Sequence, residues 1–202
     1  MNKMTLTTTR RLLVSNRACV DGYKTLIDSL GNDWPREQPI NLLHILESNG
    51  VQDMMWCLRA TEQDCTRERY LISADMAESV LHIFTDQHPD DDRPALAIHA
   101  ARSTADGKME SVDAGFIAVD AAIAGFDAST AVKQAAYAAD YPAYPAAYTA
   151  AYAAAYAAKA SKPIYAAYAA KFAVDSVDYA VDSAASNTER EKQAIIIRKY
   201  LA

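Results

Sequence analysis

Apolar residues recur at helical spacing along most of the chain, with breaks where glycine, asparagine or proline interrupts the pattern. In the N-terminal part the breaks lie close together, so this part predicts short helices joined by loops. The expected ranges are 9–15, 20–30, 40–49 and 51–60. No alternating apolar run is bounded by turn residues as a strand would be. The pattern therefore predicts an all-α fold, a multi-helix bundle.

The middle of the chain carries longer apolar stripes. Residues 66–88 keep helical spacing and predict one long amphipathic helix that ends before Pro89. A second helix follows, because the Asp92 carboxylate can accept hydrogen bonds from its free amides and Pro94 fits its first turn. A third helix is expected over 111–126. Its residues expected to face the core are Phe116, Val119, Ile123 and Phe126, and its acids repeat at Asp113, Asp120 and Asp127.

The stretch 135–158 contains fourteen alanines, six tyrosines and one charged residue. The tyrosines recur every three or four residues, which places them on one broad helical face. They are Tyr137, Tyr141, Tyr144, Tyr148, Tyr152 and Tyr156. Because alanine leaves almost no side chain, helices can approach closely between the rings, and the pattern predicts packed Ala/Tyr-rich helices. An exposed ladder for nucleobases would need a basic groove, which this stretch lacks.

Proline and polar signals divide the C-terminal part. Pro142 and Pro145 predict a kink, because proline disrupts a helix interior, and Pro163 is expected to begin a new helix. A closing helix is predicted to begin at a capping box, from Thr188 to Glu191. The residues expected to dock it are Ile195, Ile196, Ile197 and Leu201.

Length and composition are typical of a folded globular protein: 202 residues, of which 51% are hydrophobic and 23% charged. We expect a single all-helical domain over 1–202. It is divided into short helices over 1–65, a helical core over 66–134, and Ala/Tyr-rich helices with the C-terminal helix over 135–202.

Charge and cysteine usage narrow the class of protein. The net charge of -6 disfavours direct binding to nucleic acid or anionic membranes and is compatible with a basic protein partner. No apolar run approaches the roughly 20 residues that cross a bilayer, and no secretory leader is evident. Because Cys19, Cys57 and Cys65 form no CxxC pair, we expect reduced thiols and a cytoplasmic location.

Signatures of common active sites are missing: the sequence has no HExxH, GxSxG, GxxxxGKS/T or GxGxxG. The histidines are scattered, so neither a metal site nor a cofactor is predicted. Cys57 or Cys65 could pair with His44 or His82 as nucleophile and base, but cysteines among apolar helical residues are usually inert. The sequence does not favour an enzyme.

Two acidic features supply the candidate partner-binding residues. The first is the turn from His88 to Pro94, which contains Asp90, Asp91, Asp92 and Arg93. It is either a rigid connection, with one aspartate capping the next helix and another pairing with Arg93, or an exposed acidic turn that meets a basic partner. The second is a helix face of Asp175, Asp178 and Asp182, either solvated or an anionic strip for a positively charged protein surface.

The run from Ala74 to Arg102, ADMAESVLHIFTDQHPDDDRPALAIHAAR, resembles the signature of all-α immunity proteins found beside bacterial polymorphic toxins. That family has an apolar-His-apolar-Phe helix end, here 81–84, a Pro-Asp-Asp-x-Arg-Pro turn, here 89–94, and an Ala-Ile-x-Ala-Ala-Arg helix, here 97–102. The N-terminal part looks more like that of phage-carried relatives that bear the same domain.

The resemblance implies a non-enzymatic inhibitor that binds and neutralises a protein target with a basic surface. It would act as an immunity protein or as a phage counter-defence protein such as an anti-CRISPR. The alternative is a protein that sequesters a small molecule or a signalling nucleotide between its helices. The flat alanine-rich helix faces additionally predict a homo-oligomer.

Overall fold

The chain is all-α in the computed structural model, as the sequence predicts. The structure describes residues 5–136, 153–158, 165, 168, 169, 171–173, 175 and 183–201, with the backbone alone for 122, 125–136 and 183–187. Its helices are α1 (Arg10–Ser15), α2 (Val20–Leu30), α3 (Leu42–Asn49), α4 (Val51–Cys57), α5 (Thr66–Ser79), α6 (Leu81–Thr85), α7 (Arg93–Ala105), α8 (Ser111–Ala136) and a C-terminal helix (Ser183–Leu201). Residues 153–158 are also helical.

Helix ends in the N-terminal part follow the sequence signals. The Thr9 hydroxyl accepts a hydrogen bond from the Leu12 amide at 3.2 Å and caps α1. Gly31 and Gly50 end α2 and α3 in the left-handed region, with φ of 93° and 86°, as predicted. α4 ends at Cys57, earlier than predicted, because the amides that follow bond to carbonyls three residues back and tighten the chain into a turn.

A short antiparallel pair of strands, which the sequence pattern does not predict, precedes α1 and α3. β1 (Thr7–Thr8) pairs with β2 (Ile40–Asn41). Strands this short cannot show an alternating pattern. The buried Thr8 hydroxyl donates a hydrogen bond to the Ala60 carbonyl at 2.5 Å. The strand pair therefore ties the N-terminal segment to the turn after α4.

The prediction of one helix over 66–88 is wrong, because the chain breaks at Val80 between α5 and α6. Val80 has φ of -115° and ψ of 2°, outside the α-helical region. The Ser79 hydroxyl lies 2.7 Å from the Met76 carbonyl, a local contact that competes with helical hydrogen bonding. The Val80 side chain is fully buried, so the break is held by core packing.

The face of α8 that packs against the protein is the opposite of the predicted one. Its buried residues are the alanines Ala114, Ala118, Ala121 and Ala124. The larger residues form an apolar stripe of α8 on the outside, with exposed fractions of 66% at Val112, 67% at Phe116, 46% at Val119 and 45% at Ile123. α7 packs along α8 and also buries alanines, so the two helices meet through small side chains. The side chain of Phe126 lies outside the described residues.

Packed Ala/Tyr-rich helices are confirmed where the structure describes them. The ring of Tyr156 lies 5.8 Å from that of Tyr165, 5.2 Å from Tyr168 and 5.3 Å from Phe172, measured between centroids. The alanines around these rings are buried: Ala153, Ala154, Ala155, Ala157, Ala158, Ala169 and Ala173. The remaining tyrosines of the stretch and the three prolines lie outside the described residues: Tyr137, Tyr141, Tyr144, Tyr148, Tyr152, Pro142, Pro145 and Pro163.

The C-terminal helix begins at Ser183, so the capping-box prediction at Thr188 is wrong. Residues 183–187 include no glycine or proline that would stop a helix, and the two alanines in this range favour helix formation. The helix packs on α5, α3 and α4 and buries Ile197 and Leu201, whereas Ile195 is 65% exposed. Ile196 is partly buried against the core. Docking through Ile196, Ile197 and Leu201 is therefore confirmed, and the prediction for Ile195 is wrong.

Candidate interaction surface

The turn before α7 is organised by one bidentate ion pair. Arg93 donates from Nε to Asp91 Oδ1 at 2.9 Å and from Nη2 to Asp91 Oδ2 at 2.7 Å. The hydrogen bonds from the Arg93 side chain hold the pKa of Asp91 below its ordinary value, although partial burial opposes them. The predicted pairing of an aspartate with Arg93 is thus confirmed, and these two charges satisfy each other within the turn.

The prediction that the Asp92 side chain caps α7 is wrong. Asp92 occupies the N-cap position but has helical backbone angles, φ -91° and ψ -1°, and its side chain accepts no capping hydrogen bond. A capping side chain reaches the free amides from an extended backbone, which Asp92 lacks. The Arg93 amide bonds instead to Asp91 Oδ1 at 3.2 Å.

Asp91→Ala is expected to destabilise the fold by about 1 kcal/mol, because in a partly exposed turn it removes two hydrogen bonds from the Arg93 side chain and one from the Arg93 amide. Asp90→Ala is the matched control and should change the free energy of unfolding by less than about 0.5 kcal/mol, since Asp90 is exposed. Urea denaturation of both variants measures this difference. Equal losses in the two variants would contradict the structural role given to Asp91.

The second predicted acidic feature is described only at Asp175. Its carboxylate pairs with Lys171, one helical turn earlier, and the Lys171 ammonium lies 5.7 Å from the centre of the Phe172 ring. Asp178 and Asp182 lie outside the described residues. Asp175 therefore has a local partner, and whether these three residues form one strip stays a prediction.

Two further exposed carboxylates lie beside the apolar stripe of α8. Asp113 and Asp120 are exposed and directly follow Val112 and Val119, so they flank one edge of the apolar stripe of α8. Neither makes an ion pair with another described residue. Large apolar groups and acids therefore share one open helix face, which the sequence pattern had assigned to the core.

The acidic turn lies at one end of this helix pair. Residues 106–110 connect α7 to α8, and because the two helices pack side by side they run antiparallel. The turn that precedes α7 is therefore at the end of the pair remote from Ser111. Asp90 and Asp92 are exposed there and make no ion pair with any other residue in the described part of the chain.

A cluster of charges that the sequence does not reveal joins three helices. Arg102 of α7 donates to Asp75 Oδ1 at 2.8 Å and to Glu78 Oε2 at 2.5 Å. Lys199 Nζ and Tyr200 Oη of the C-terminal helix each lie 2.7 Å from Asp75 Oδ2. Asp75 thus links α5 to both neighbouring helices. Its partners lie 27, 124 and 125 residues away, a separation that local spacing cannot show.

The cluster shifts the pKa values of its members. Burial raises the pKa of Asp75, but hydrogen bonds from Lys199, Arg102 and Tyr200 outweigh burial and leave it below its ordinary value. The hydrogen bond from Arg102 lowers the pKa of Glu78. Burial, followed by the hydrogen bond to Asp75, raises the pKa of Tyr200. The shifts are those of a structural ion-pair network that favours the charged form of Asp75.

The cysteines and histidines do not form the nucleophile–base pairs considered from the sequence. Burial raises the pKa of Cys57 to about 12, so at neutral pH this residue is a thiol and not the reactive thiolate. Cys65 is buried, with its Sγ 3.3 Å from the Leu58 carbonyl. The Nε2 atom of His44 lies 3.0 Å from the Ser29 hydroxyl. Cys19 is exposed.

Within the part of the chain that the structure describes, no group of three or more His, Cys, Asp or Glu side chains converges as a metal ion would require. No helix there combines the length and apolar character needed to cross a bilayer. Comparison of the chain with protein-family models, with curated proteins and with solved structures finds no match.

Proposed function

We propose that the chain is a non-enzymatic inhibitor that binds a basic partner protein through the apolar stripe of α8 and neutralises it. The observation that carries the proposal is the open face on which Phe116 and Ile123 are exposed beside the exposed carboxylates of Asp113 and Asp120. Neutralisation is what the resemblance to immunity proteins implies. The same physical action would serve a phage counter-defence protein such as an anti-CRISPR.

The spacing of the stripe supports a helix-in-groove mode of binding. Val112, Phe116, Val119 and Ile123 follow one another at steps of four, three and four residues, so they lie along one line of the helix. Complete burial of a phenylalanine or isoleucine side chain contributes about 1.5–3 kcal/mol. Large side chains in a desolvated groove commonly supply most of the binding energy.

The charges beside the stripe define the chemistry of the partner. Asp113 and Asp120 flank the stripe, and Asp90 and Asp92 lie at the end of the helix pair. An apolar groove rimmed by lysine or arginine would complement this arrangement, and the carboxylates would accelerate association. The net charge of -6 would also attract a basic partner protein at longer range. Asp91 and Arg93 pair with each other and would instead stabilise the conformation of the turn.

The test begins with a pull-down from bacterial lysate in which the purified chain is the bait. The protein that it retains is then purified. In isothermal titration calorimetry, the double variant Phe116→Ser/Ile123→Ser should bind the retained protein with a dissociation constant at least tenfold higher. This corresponds to a loss of about 1.4 kcal/mol of binding free energy. Val20→Ser/Ile195→Ser is the matched control, because these residues are 81% and 65% exposed on other helices. Asp113→Asn/Asp120→Asn should slow association and reduce its dependence on salt.

Inhibition is measured separately from binding. The purified partner should lose its own activity when one equivalent of the chain is added, and the Phe116→Ser/Ile123→Ser variant should require a proportionate excess. A partner that binds both double variants equally well would contradict the stripe as the docking surface. A partner that stays fully active when saturated would contradict the inhibitor function.

A further inference from the structure

A second feature, separate from the stripe, is a small cavity among α1, α2, α3 and α4. Its volume is about 130 Å³. The apolar part of its wall includes Leu26 and Ile45, which are buried, and Trp56, which is partly buried. Arg17 and Asp53 line the polar part. The cavity therefore combines an apolar surface with one charge of each sign.

The backbone of Arg17 adopts a conformation that is uncommon for any residue other than glycine. α1 ends with the Arg17 amide bonded to the Val14 carbonyl at 3.0 Å and the Ala18 amide bonded to the Leu13 carbonyl at 3.0 Å. This hydrogen-bond pattern places Arg17 in the left-handed region, with φ of 62°. Glycine is the residue favoured at this position of a helix end, because it carries no Cβ. Arginine at this position therefore lowers stability relative to glycine.

No hydrogen bond or ion pair joins the Arg17 guanidinium to another described residue, although the side chain lines the cavity. Asp53, by contrast, is held firmly. The Asn49 amide nitrogen lies 2.8 Å from Asp53 Oδ2 and 2.7 Å from the Gly22 carbonyl. A Cβ at Gly22 would lie 2.6 Å from Asp53 Oδ2, so this glycine permits the close approach of the carboxylate.

We propose that this cavity binds a small zwitterion with an apolar body, namely an α-amino acid with an apolar side chain. Arg17 would pair with the carboxylate of the ligand, for which the guanidinium fork is suited, and Asp53 with its ammonium group. Trp56, Leu26 and Ile45 would contact the side chain. A cavity of roughly 150 Å³ accepts a benzene ring, so a cavity of 130 Å³ suits an aliphatic side chain such as that of leucine.

Isothermal titration calorimetry of the full chain tests the proposal with L-leucine and L-phenylalanine. One of them should bind with a dissociation constant on the order of 1 mM or tighter. 3-Methylbutylamine lacks the carboxylate of leucine and 4-methylpentanoate lacks its amine, and each should bind at least tenfold more weakly than leucine. Saturable binding of an analogue as tight as that of the amino acid would overturn the zwitterion site, as would no binding of either amino acid at millimolar concentration.

Arg17→Gly separates a ligand role of Arg17 from a structural one. The variant is expected to raise the melting temperature and to lower the affinity for the amino acid. Glycine relieves the left-handed strain, so the variant should melt about 2–4 °C higher than the parent chain. It should nevertheless bind the amino acid at least tenfold more weakly. Arg17→Lys keeps both the charge and the strain and should retain part of the affinity. A more stable Arg17→Gly chain with undiminished affinity would overturn the role of Arg17.

Asp53→Asn tests the other charge with little change in shape, since the amide oxygen can still accept from Asn49. It should weaken amino-acid binding at least tenfold and leave binding of the partner protein to α8 unchanged. Undiminished amino-acid affinity in this variant would overturn the role of Asp53. Because the cavity and the stripe are altered by different variants, failure of one proposal is distinguishable from failure of the other.

Discussion

Ala118→Leu is expected to destabilise the fold by about 3 kcal/mol. Ala118 is fully buried, and its helix packs closely on α7, which buries Ala97, Ala100 and Ala101. A larger side chain in a closely packed core forces shifts of side chains and backbone that cost about 1–3 kcal/mol. We expect the upper end of that range because Ala118 has no exposed surface into which a larger side chain could extend.

Val119→Leu is the matched control one position along the helix. Val119 is 46% exposed on the outer face, so the same new side chain extends into solvent and should change the free energy of unfolding by less than about 0.5 kcal/mol. Chemical denaturation of the two variants measures both values. A larger loss in Val119→Leu than in Ala118→Leu would mean that the face of α8 predicted from the sequence is the buried one after all.

The inverted face of α8 shows what periodicity can and cannot predict. Spacing identifies the residues that share a face, and it does so correctly for Phe116, Val119 and Ile123. Which face is buried depends on the neighbouring helix. α7 presents alanines, and a pair of small faces allows a closer approach than an alanine face against a phenylalanine. The larger residues are left outside, where they form the candidate docking surface.

Glycine was a reliable guide to two helix ends, whereas the capping signals at Asp92 and Thr188 were wrong. Gly31 and Gly50 end their helices with positive φ, because tolerance of positive φ is a property of glycine itself. The break at Val80 has no such signal, since a buried valine continues a helical pattern as well as it ends one. There, packing of the core and the contact from Ser79 to the preceding turn decide the backbone conformation.

The candidate sites also differ in how far the sequence could predict their contacts. The pairing of Asp91 with Arg93 is local and was predictable from their separation of two residues. The network around Asp75 was not, because its partners come from distant helices that meet only in the folded chain. The resemblance included Arg102 as a motif residue without a role. The structure gives it one, as the cation that joins α7 to α5.

Asp75→Ala is accordingly expected to destabilise the fold by about 2 kcal/mol at neutral pH. The Asp75 side chain is 13% exposed and accepts charge-assisted hydrogen bonds from Arg102 and Lys199, together with one from Tyr200. Loss of hydrogen bonds that involve charged groups costs about 1.5–3 kcal/mol. Asp75→Asn keeps an acceptor without the charge and should lose about half as much. Guanidinium chloride would screen these charges, so urea is the suitable denaturant.

The pH dependence of stability distinguishes lost charge from lost packing in these variants. Because the folded pKa of Asp75 lies below its ordinary value of 3.8, its contribution is fully present above that value and is lost as the pH falls through the folded pKa. The parent chain should therefore lose more stability than Asp75→Asn between about pH 5 and the acid limit of folding. Parallel stability curves for the two proteins would mean that Asp75 acts through its shape, and that its charge contributes nothing to the junction of the three helices.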